Sequence, residues 1–323
     1  MFLRQKVVCF GGGTGLPALL SGLKDNPWLD ITAVVNMFDT GGSSGELKDR
    51  FGILPPGDVL KCLLALSAHE PYARELLQRR IRNSRFAGHT GGNVLLLGLE
   101  KVYGDYLTAV DALGQLLSIK GKVIPVTLEQ SILSARYEDG SVYKGETSVD
   151  MGVHEGKLLL DLFLEPRVPA SAQAVSAIME ADVLCVGPGS FYTSVLPNFL
   201  PDGVVETIRG SRGKIIFVAN LLTEGKGMQG MSLEDIVDMV ERHIGRSVDY
   251  VVANHHLPSE ETLLERYAAE NKYPIISRES EADKRFVFAN LWLDKNIARH
   301  DCSRLAHLVS VLINKCKTEA VVC

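Results

Sequence analysis

The fold is decided near the amino terminus, where residues Lys6–Leu16 read KVVCFGGGTGL. A short apolar run that ends in glycines and leads into an apolar helical segment, Leu16–Leu23, is typical of a buried strand, a tight turn and a helix. Further strands are predicted at Ile31–Met37, Lys122–Val126, Asp182–Val186, Lys214–Ala219 and Tyr250–Ala253. Helices are predicted at Asp58–Ser67, Tyr72–Asn83, Asn93–Tyr103, Tyr106–Ser118, Ser171–Glu180, Ser232–Ile244 and Glu260–Glu270. This alternation predicts an α/β fold, a doubly wound and mostly parallel sheet covered on both faces.

A β-rich segment interrupts this alternation at Leu128–Glu165. It contains two turn signals, Glu138-Asp139-Gly140 and His154-Glu155-Gly156, between β-rich runs, and these predict antiparallel hairpins. The sequence shows no internal repeat and no low-complexity linker. We therefore predict a single domain over residues 1–323, with residues 128–165 as a β-hairpin insertion.

Composition narrows the class of protein. The chain has 323 residues, of which 46% are hydrophobic and 23% charged, values typical of a globular protein rather than a disordered one. Its formal net charge of -5 does not favour nucleic acid or an anionic membrane. No apolar run reaches the roughly 20 residues of a membrane span. The six cysteines lack CxxC spacing, so neither a disulfide framework nor a zinc site is predicted, and a cytoplasmic location is expected.

Glycine- and hydroxyl-rich loops follow the predicted strands, at the edge where open parallel sheets bind ligands. Glycine allows close approach of the backbone to a ligand, and hydroxyls and amides at helix starts donate to phosphate. The loops contribute Gly11, Gly12, Gly13, Thr14 and Gly15; Asp39, Gly41, Gly42, Ser43 and Ser44; Gly187, Pro188, Gly189, Ser190, Thr193 and Ser194; and Asn220 and Thr223. Several such loops at one sheet edge predict a polyphosphate-binding site.

Two of these loops depart from the motifs that they approach. Gly11–Gly15 is not GxGxxG, because Leu16 stands where the third glycine belongs, and it is not a Walker A loop; alone it is compatible with a tight turn. Gly41–Gly45 formally matches the GxSxG nucleophile elbow. The elbow serine directly caps a strand, whereas Asp39 and Thr40 intervene here, which argues against a catalytic Ser43.

Other loop residues also have structural alternatives. Asp39 lies where dinucleotide sites place a ribose-binding acid, although it is equally suited to capping its own loop. Ser190, Thr193 and Ser194 are suited to helix capping as well as to phosphate binding.

Three charged or titratable groups outside the loops are weaker candidates. His255 and His256 are adjacent and would point apart on a strand, so a solvated loop is favoured over a metal pair. The arginines within Arg74–Arg85 indicate a charged solvent face from which one arginine can reach a phosphate. Arg299-His300-Asp301, ahead of the last predicted helix, is either a phosphate or carboxylate clamp or a surface ion pair.

Taken in order, these motifs resemble those of the CofD/YvcK-like family, and its gluconeogenesis-factor (YvcK-type) branch more than its 2-phospho-L-lactate transferases. The resemblance spans nearly the whole chain and rests on these motifs: Gly11–Leu16, Asp39–Gly45, Gly52–Asp58, Gly92-Asn93, Gly187–Ser194 with Pro197-Asn198, and Asn220–Thr223. It implies a Rossmann-like fold and adds Asp58 and Asn93, with Tyr267 and Arg299 as nucleotide-sugar contacts. The transferase branch moves a phospholactyl group with a divalent metal, whereas the YvcK-type branch binds UDP-sugars and acts in carbon-metabolism and cell-envelope control.

The chain departs from the family pattern at two positions. Thr40 stands where the YvcK-type loop usually has a second aspartate, which weakens the prediction of a metal held by Asp39 and Asp58. The family run Gly-Asp-Ile-Arg-Asn-Cys reads Gly57–Cys62 here and has lost its arginine; the neighbouring Lys61 is only a partial substitute, because it cannot make a bidentate fork.

The favoured interpretation is a cytoplasmic, regulatory UDP-sugar-binding protein that binds no nucleic acid and has no membrane span. The resemblance further implies a homo-oligomer and protein partners in envelope synthesis. Two alternatives stay open: a 2-phospho-L-lactate transferase-like enzyme that uses Mg²⁺ and a nucleoside diphosphate conjugate, and an NAD(P)-binding protein.

Overall fold

A computed structural model describes residues 4–258, 261–278, 283–294 and 297–322 of the chain. The strands are β1 Gln5–Gly11, β2 Leu29–Val35, β3 Lys122–Pro125, β4 Ile132–Tyr137, β5 Val142–Lys144, β6 Leu159–Glu165, β7 Val183–Val186, β8 Lys214–Val218, β9 Tyr250–Asn254, β10 Phe286–Ala289, β11 Trp292–Asp294 and β12 Ile297–His300. The helices are α1 Gly15–Leu23, α2 Gly42–Phe51, α3 Gly57–Leu66, α4 Glu70–Leu77, α5 Gly91–Tyr103, α6 Tyr106–Leu116, α7 Glu146–Glu155, α8 Ala172–Glu180, α9 Val204–Gly210, α10 Leu233–Ile244, α11 Glu261–Ala269 and α12 Cys302–Val322.

A seven-stranded sheet forms the centre of the molecule, in the order β10-β9-β8-β7-β1-β2-β3. All six neighbouring pairs run parallel. The chain winds outward from β1 in one direction through β2 and β3 and in the other through β7 to β10, so the strand order reverses between β1 and β7. This confirms the predicted α/β class with a mostly parallel sheet, and it places a topological switch point beside the first glycine turn.

The central strands are apolar because both faces of the sheet are covered. β1 is buried from Val7 to Gly11, and β7 is buried throughout. The helices form two groups. In the first, α1 packs on α3 and α12; in the second, α8 and α10 each pack on α9. Among the described residues, no helix combines the length and the apolar character that crossing a membrane requires.

The predicted insertion is β-structured but also contains a helix. The turn at Gly140 joins β4 and β5 as an antiparallel hairpin, and β6 pairs with the other edge of β4, as expected for an antiparallel insertion. The second predicted hairpin, at His154-Glu155-Gly156, is wrong. These residues end α7, and Gly156 is its left-handed cap at φ 90°. The buried positions Val149, Gly152 and Val153 follow helical spacing, and a glycine after a helix gives the same local signal as a hairpin turn.

Two further predicted boundaries are corrected. Residues Thr40–Gly45 are expected to form a loop, but α2 begins within them at Gly42. Their three glycines and two serines have low helix propensity, so the sequence does not indicate that a helix starts here. The helix predicted over Tyr72–Asn83 is the shorter α4, which ends at Leu77.

Candidate functional site

A large cleft of about 1260 Å³ opens at the carboxyl edge of the central sheet. It is lined by the loops that follow β1, β2, β7 and β8, by the first turn of α3 and by residues of β11 and β12. The loops after β1 and β7 touch at the switch point. A Cβ atom on Gly15 would lie 2.7 Å from the amide nitrogen of Gly189. The cleft therefore lies where doubly wound proteins bind ligands.

Most of the predicted site residues line this cleft. They are Gly13, Thr14, Gly15, Asp39, Gly41, Gly42, Ser43, Ser44, Asp58, Asn93, Pro188, Gly189, Ser190, Asn220, Thr223, Tyr267 and Arg299. The other five, Gly11, Gly12, Gly187, Thr193 and Ser194, lie beneath it. For all of these residues, contact with a ligand stays a prediction.

The residues beneath the cleft hold its loops together. Gly187 has φ +78°, and a Cβ there would lie 2.8 Å from the carbonyl oxygen of Val218. The carbonyl of Thr193 accepts from Asn36 Nδ2 at 2.8 Å, and its hydroxyl lies 2.7 Å from Ser190 Oγ. These contacts give Thr193 a structural role, but not the predicted capping one, because no side chain of a described residue caps the helical turn Phe191–Val195.

Asp58 joins the first turn of α3 to the glycine turn after β1. Its Oδ2 accepts from the amide of Gly13 at 2.7 Å, and its Oδ1 accepts from Lys61 Nζ at 2.9 Å. Burial lowers the pKa of Lys61, but the charge of the Asp58 carboxylate and its hydrogen bond have the larger effect, so the pKa of Lys61 is raised. Lys61 therefore stays a cation beside the cleft, and both oxygens of Asp58 already have donors.

The Asp39 side chain is hydrogen-bonded to a residue that sequence reasoning missed, Glu146 at the start of α7. Burial first, and then the hydrogen bond to Asp39 and its charge, raise the pKa of Glu146 to about 9. Asp39 Oδ1 also accepts from the amide of Gly41 at 2.7 Å. With its raised pKa, Glu146 is therefore protonated at neutral pH.

This acidic region does not form a closed set of metal ligands. Within the described part of the chain, no group of three or more His, Cys, Asp or Glu side chains is placed to hold a metal ion. Asp58 has its oxygens occupied by Gly13 and Lys61, and Asp39 is hydrogen-bonded to Glu146. The residues therefore do not fit a divalent ion in this arrangement; the predicted metal site at Asp39 and Asp58 is not tested further by the structure.

Ser43 lies in the first turn of α2 and contacts two side chains of another segment. Its Oγ is 2.9 Å from Nδ1 of His89 and accepts from Asn93 Nδ2 at 3.0 Å. Thr90 caps α5 by accepting from the amide of Asn93 at 3.3 Å, which holds Asn93 against the cleft. His89 was also missed from the sequence.

Glu224 lies in the loop that follows β8, and its side chain reaches the turn that follows β7. Its carboxylate accepts from the amide of Phe191 at 2.9 Å, from Ser190 Oγ at 3.1 Å and from Asn220 Nδ2 at 3.1 Å. Burial raises the pKa of Glu224 to about 7, although these donors oppose the shift. Asn220 also brackets Gly189, because its side chain bonds to both the amide and the carbonyl of that residue. The donors Phe191 N and Ser190 Oγ are thus already taken.

Tyr267 and Arg299 reach the cleft from the carboxyl-terminal part of the chain. The Tyr267 hydroxyl accepts from the amide of Ala298 at 3.0 Å, which ties α11 to β12. Arg299 is exposed at the cleft. Asp301 caps α12 and lies 3.5 Å from Arg304 Nε. Among the described residues no carboxylate lies within ion-pair distance of Arg299, so the expected pairing with Asp301 is not formed.

Of the weaker candidates, some line the cleft in the structure and others lie outside it. His255 and His256 are exposed in a loop after β9, as expected for a solvated pair. Arg74 lines the cleft but is held by Glu70, and Arg80 lines it while donating to a backbone carbonyl. His300 lines the cleft and is 9% exposed; burial lowers its pKa to about 4, so its ring is neutral.

The fold and the cleft define a doubly wound α/β protein with a large cleft at the switch point of its parallel sheet. The chain belongs to the CofD family: residues 7–290 match the family described as 2-phospho-L-lactate transferase CofD.

The relatives of this chain include proteins called gluconeogenesis factor. That of Halalkalibacterium halodurans is 38% identical over 275 residues, 84% of each chain, and that of Bacillus subtilis is 32% identical over 325 residues, 97% of this chain and 99% of its own. A crystal structure of a UPF0052 family member from Bacillus halodurans superposes with a TM-score of 0.87 at 35% identity, covering 95% of this chain and 99% of that one. The resemblance to the family and the α/β fold are thereby confirmed.

Proposed function

We propose that this protein binds a UDP-sugar in the cleft at the switch point and acts as a regulator of carbon metabolism and cell-envelope synthesis. The observation that carries the proposal is the meeting of glycine- and hydroxyl-rich loops from four parallel strands around one cleft. The amides of Thr14 and Gly15 donate to no described residue, so they are free for a phosphate oxygen at the start of α1. The regulatory role is inferred from the gluconeogenesis-factor relatives.

Arg299 supplies the cation that this proposal needs near a diphosphate. It is exposed at the cleft and has no carboxylate partner among the described residues, so its guanidinium can donate to a phosphate oxygen. A charge-assisted hydrogen bond of this kind contributes about 1.5–3 kcal/mol, or roughly tenfold or more in affinity. Arg299→Lys should retain only part of this because it keeps the charge and loses the planar fork.

Titration calorimetry tests both points. UDP-N-acetylglucosamine, UDP-glucose, GDP and NAD are titrated into the wild type, Arg299→Ala, Arg299→Lys and a control, Arg242→Ala, whose arginine is exposed on α10 away from the cleft. The proposal expects a UDP-sugar to bind most tightly and Arg299→Ala to weaken it at least about tenfold. Absence of UDP-sugar binding at millimolar concentration would refute the proposal, and tighter binding of NAD would favour the NAD(P) alternative.

A transferase acting on a nucleoside diphosphate conjugate is the second candidate, favoured by the hydrogen-bonded pair of Asp39 and Glu146. A hydrogen-bonded carboxyl pair in a cleft is suited to accept the proton of an acceptor hydroxyl. In this reading, Glu146→Gln abolishes product formation from a lactyl conjugate, whereas Glu155→Gln, an exposed position on the same helix, does not. No product with the wild type, together with nucleotide affinity that Mg²⁺ leaves unchanged, contradicts both the transferase and the predicted metal site.

A further inference from the structure

The Ser43–His89 contact is suited to chemistry that phosphate binding does not require. His89 is 1% exposed, and its Nδ1 lies 2.9 Å from the hydroxyl of Ser43, which itself lines the cleft. Glu46 Oε2 lies 3.7 Å from Nε2 on the other side of the ring. A nucleophile within reach of a base, with a third group behind that base, is the arrangement from which activated serines are recognised.

The half-exposed Glu46 carboxylate, which also pairs with Arg50, favours the His89 tautomer that carries its proton on Nε2, an atom with no hydrogen-bond partner among the described residues. A carboxylate near Nε2 stabilises a hydrogen on that atom and disfavours a bare lone pair there. Nδ1 is then the acceptor, so the Ser43 hydroxyl donates to it. Asn93 Nδ2 donates to the same oxygen at 3.0 Å and fixes its position. The remaining lone pair of Ser43 Oγ is left for an electrophile in the cleft.

Two unpaired groups beside Ser43 point to a bound ligand. The amides of Gly42, Ser43 and Ser44 donate to no described residue, since the first backbone bond of α2 is that of Gly45 to Gly41. Asn93 is 4% exposed and lines the cleft, yet its Oδ1 has no partner among the described residues. Free amides in the first turn of a helix stabilise an oxyanion, and an unpaired buried amide oxygen is suited to a ligand donor.

The electrophile is expected to be uncharged. The Asp39 carboxylate, which is hydrogen-bonded to Glu146, accepts from the amide of Gly41 two residues before Ser43. A phosphoryl group is already negative when it binds beside this carboxylate, whereas an ester carbonyl is neutral on binding, and the free amides of α2 oppose the carboxylate when the oxyanion forms. Ser43 does not cap a strand as an elbow serine does, but its contacts with His89 and Asn93 outweigh that expectation. We propose that Ser43 and His89 form a nucleophile–base pair that hydrolyses carboxylic esters bound in the cleft.

The reaction balances with water as the second reactant. Ser43 Oγ bonds to the ester carbonyl carbon while its proton passes to His89 Nδ1, and the free amides of α2 stabilise the oxyanion. The bond from carbon to the ester oxygen then breaks, and His89 returns the proton to the departing alcohol. Water adds to the acyl-serine, with His89 again taking the proton, and releases the carboxylic acid and Ser43.

Covalent labelling and ester turnover test the proposal on the full chain. A fluorophosphonate probe is reacted with the wild type, and the modified peptide is mapped by mass spectrometry; p-nitrophenyl acetate hydrolysis is measured in parallel. The label is expected on Ser43, and Ser43→Ala and His89→Gln should each lower turnover about a hundredfold or more. Ser176→Ala and His255→Gln, both exposed and outside the cleft, serve as matched controls and should not change it.

The wild-type labelling map needs no variant, so a His89 variant that fails to fold does not weaken the test. A label elsewhere, no label at all, or Ser43→Ala turning over the ester at the wild-type rate would overturn the proposal. Preferential hydrolysis of p-nitrophenyl phosphate would also overturn it, in favour of phosphoryl chemistry. Neither reagent contains a nucleotide, so the outcome is independent of UDP-sugar binding.

Discussion

Glu224→Gln is expected to remove a defined part of the pH dependence of stability. Burial raises the pKa of Glu224 from 4.5 to about 7 in the folded protein. Between these values the folded state holds a proton that the unfolded state has lost. The contribution of this group therefore stabilises the fold at low pH and is lost as the pH rises through 7.

The size of the effect follows from the shift. Each pKa unit corresponds to about 1.4 kcal/mol, so between pH 5 and pH 8 the wild type should lose about 2–3 kcal/mol of unfolding free energy through Glu224. Glutamine has the same shape, and its carbonyl oxygen can still accept from the amide of Phe191. It does not titrate, so the variant should lack this fall. Glu146, whose pKa is also raised, titrates in both proteins and cancels in the comparison.

Urea unfolding at pH 5 and pH 8 of the wild type, Glu224→Gln and the exposed control Glu138→Gln measures the difference directly. The stability difference between wild type and Glu224→Gln should change by about 2–3 kcal/mol between the two pH values, whereas the Glu138 variant should follow the wild type. Equal changes in all three proteins would show that Glu224 is ionised throughout this range. The inferred neutral carboxyl behind the β7 turn would then be wrong.

Two glycine substitutions test the packing around the cleft, with a third as control. Gly15→Ala should cost about 1–3 kcal/mol and weaken nucleotide binding in calorimetry, since its Cβ would lie 2.7 Å from the amide of Gly189. Gly22→Ala in α1 should cost a similar amount in urea unfolding, because its Cβ would lie 2.5 Å from that of Ala306 in α12. Gly98→Ala in α5, where nothing lies within 4 Å, should instead stabilise by about 0.5–1 kcal/mol. Equal effects at Gly22 and Gly98 would contradict the close packing of α1 on α12.

The features that the sequence predicts correctly are those that depend on residues close together along the chain. The apolar run before Gly11 and the loop after each buried strand are local features, and the parallel sheet brings the ends of its strands to one edge whatever the other details. Glu146, His89 and Glu224 depend instead on contacts between distant segments. Glu146 meets Asp39 only because α7 folds against the loop after β2, and the wrong hairpin at Gly156 hid that helix.

A glycine in these loops can have either of two causes, and neither of them concerns a ligand. A Cβ on Gly12 would lie 2.5 Å from Asp58 Oδ2, so that position is restricted by the protein itself. Gly42, in contrast, has φ +48° and nothing within 4 Å of a Cβ, so its backbone conformation is the reason for glycine.

Free donors therefore locate a ligand better than glycines do. Gly13 N donates to Asp58 and Phe191 N to Glu224, whereas the amides of Thr14, Gly15 and the first turn of α2 donate to no described residue. The start of α1 lies at the switch point, where Lys61 is paired with the neighbouring Asp58 carboxylate, and is suited to a diphosphate. The start of α2 lies beside the Asp39 carboxylate and is suited to an uncharged group that becomes an oxyanion only during reaction. One cleft can thus hold a nucleotide at one loop and present a separate group to Ser43 at another.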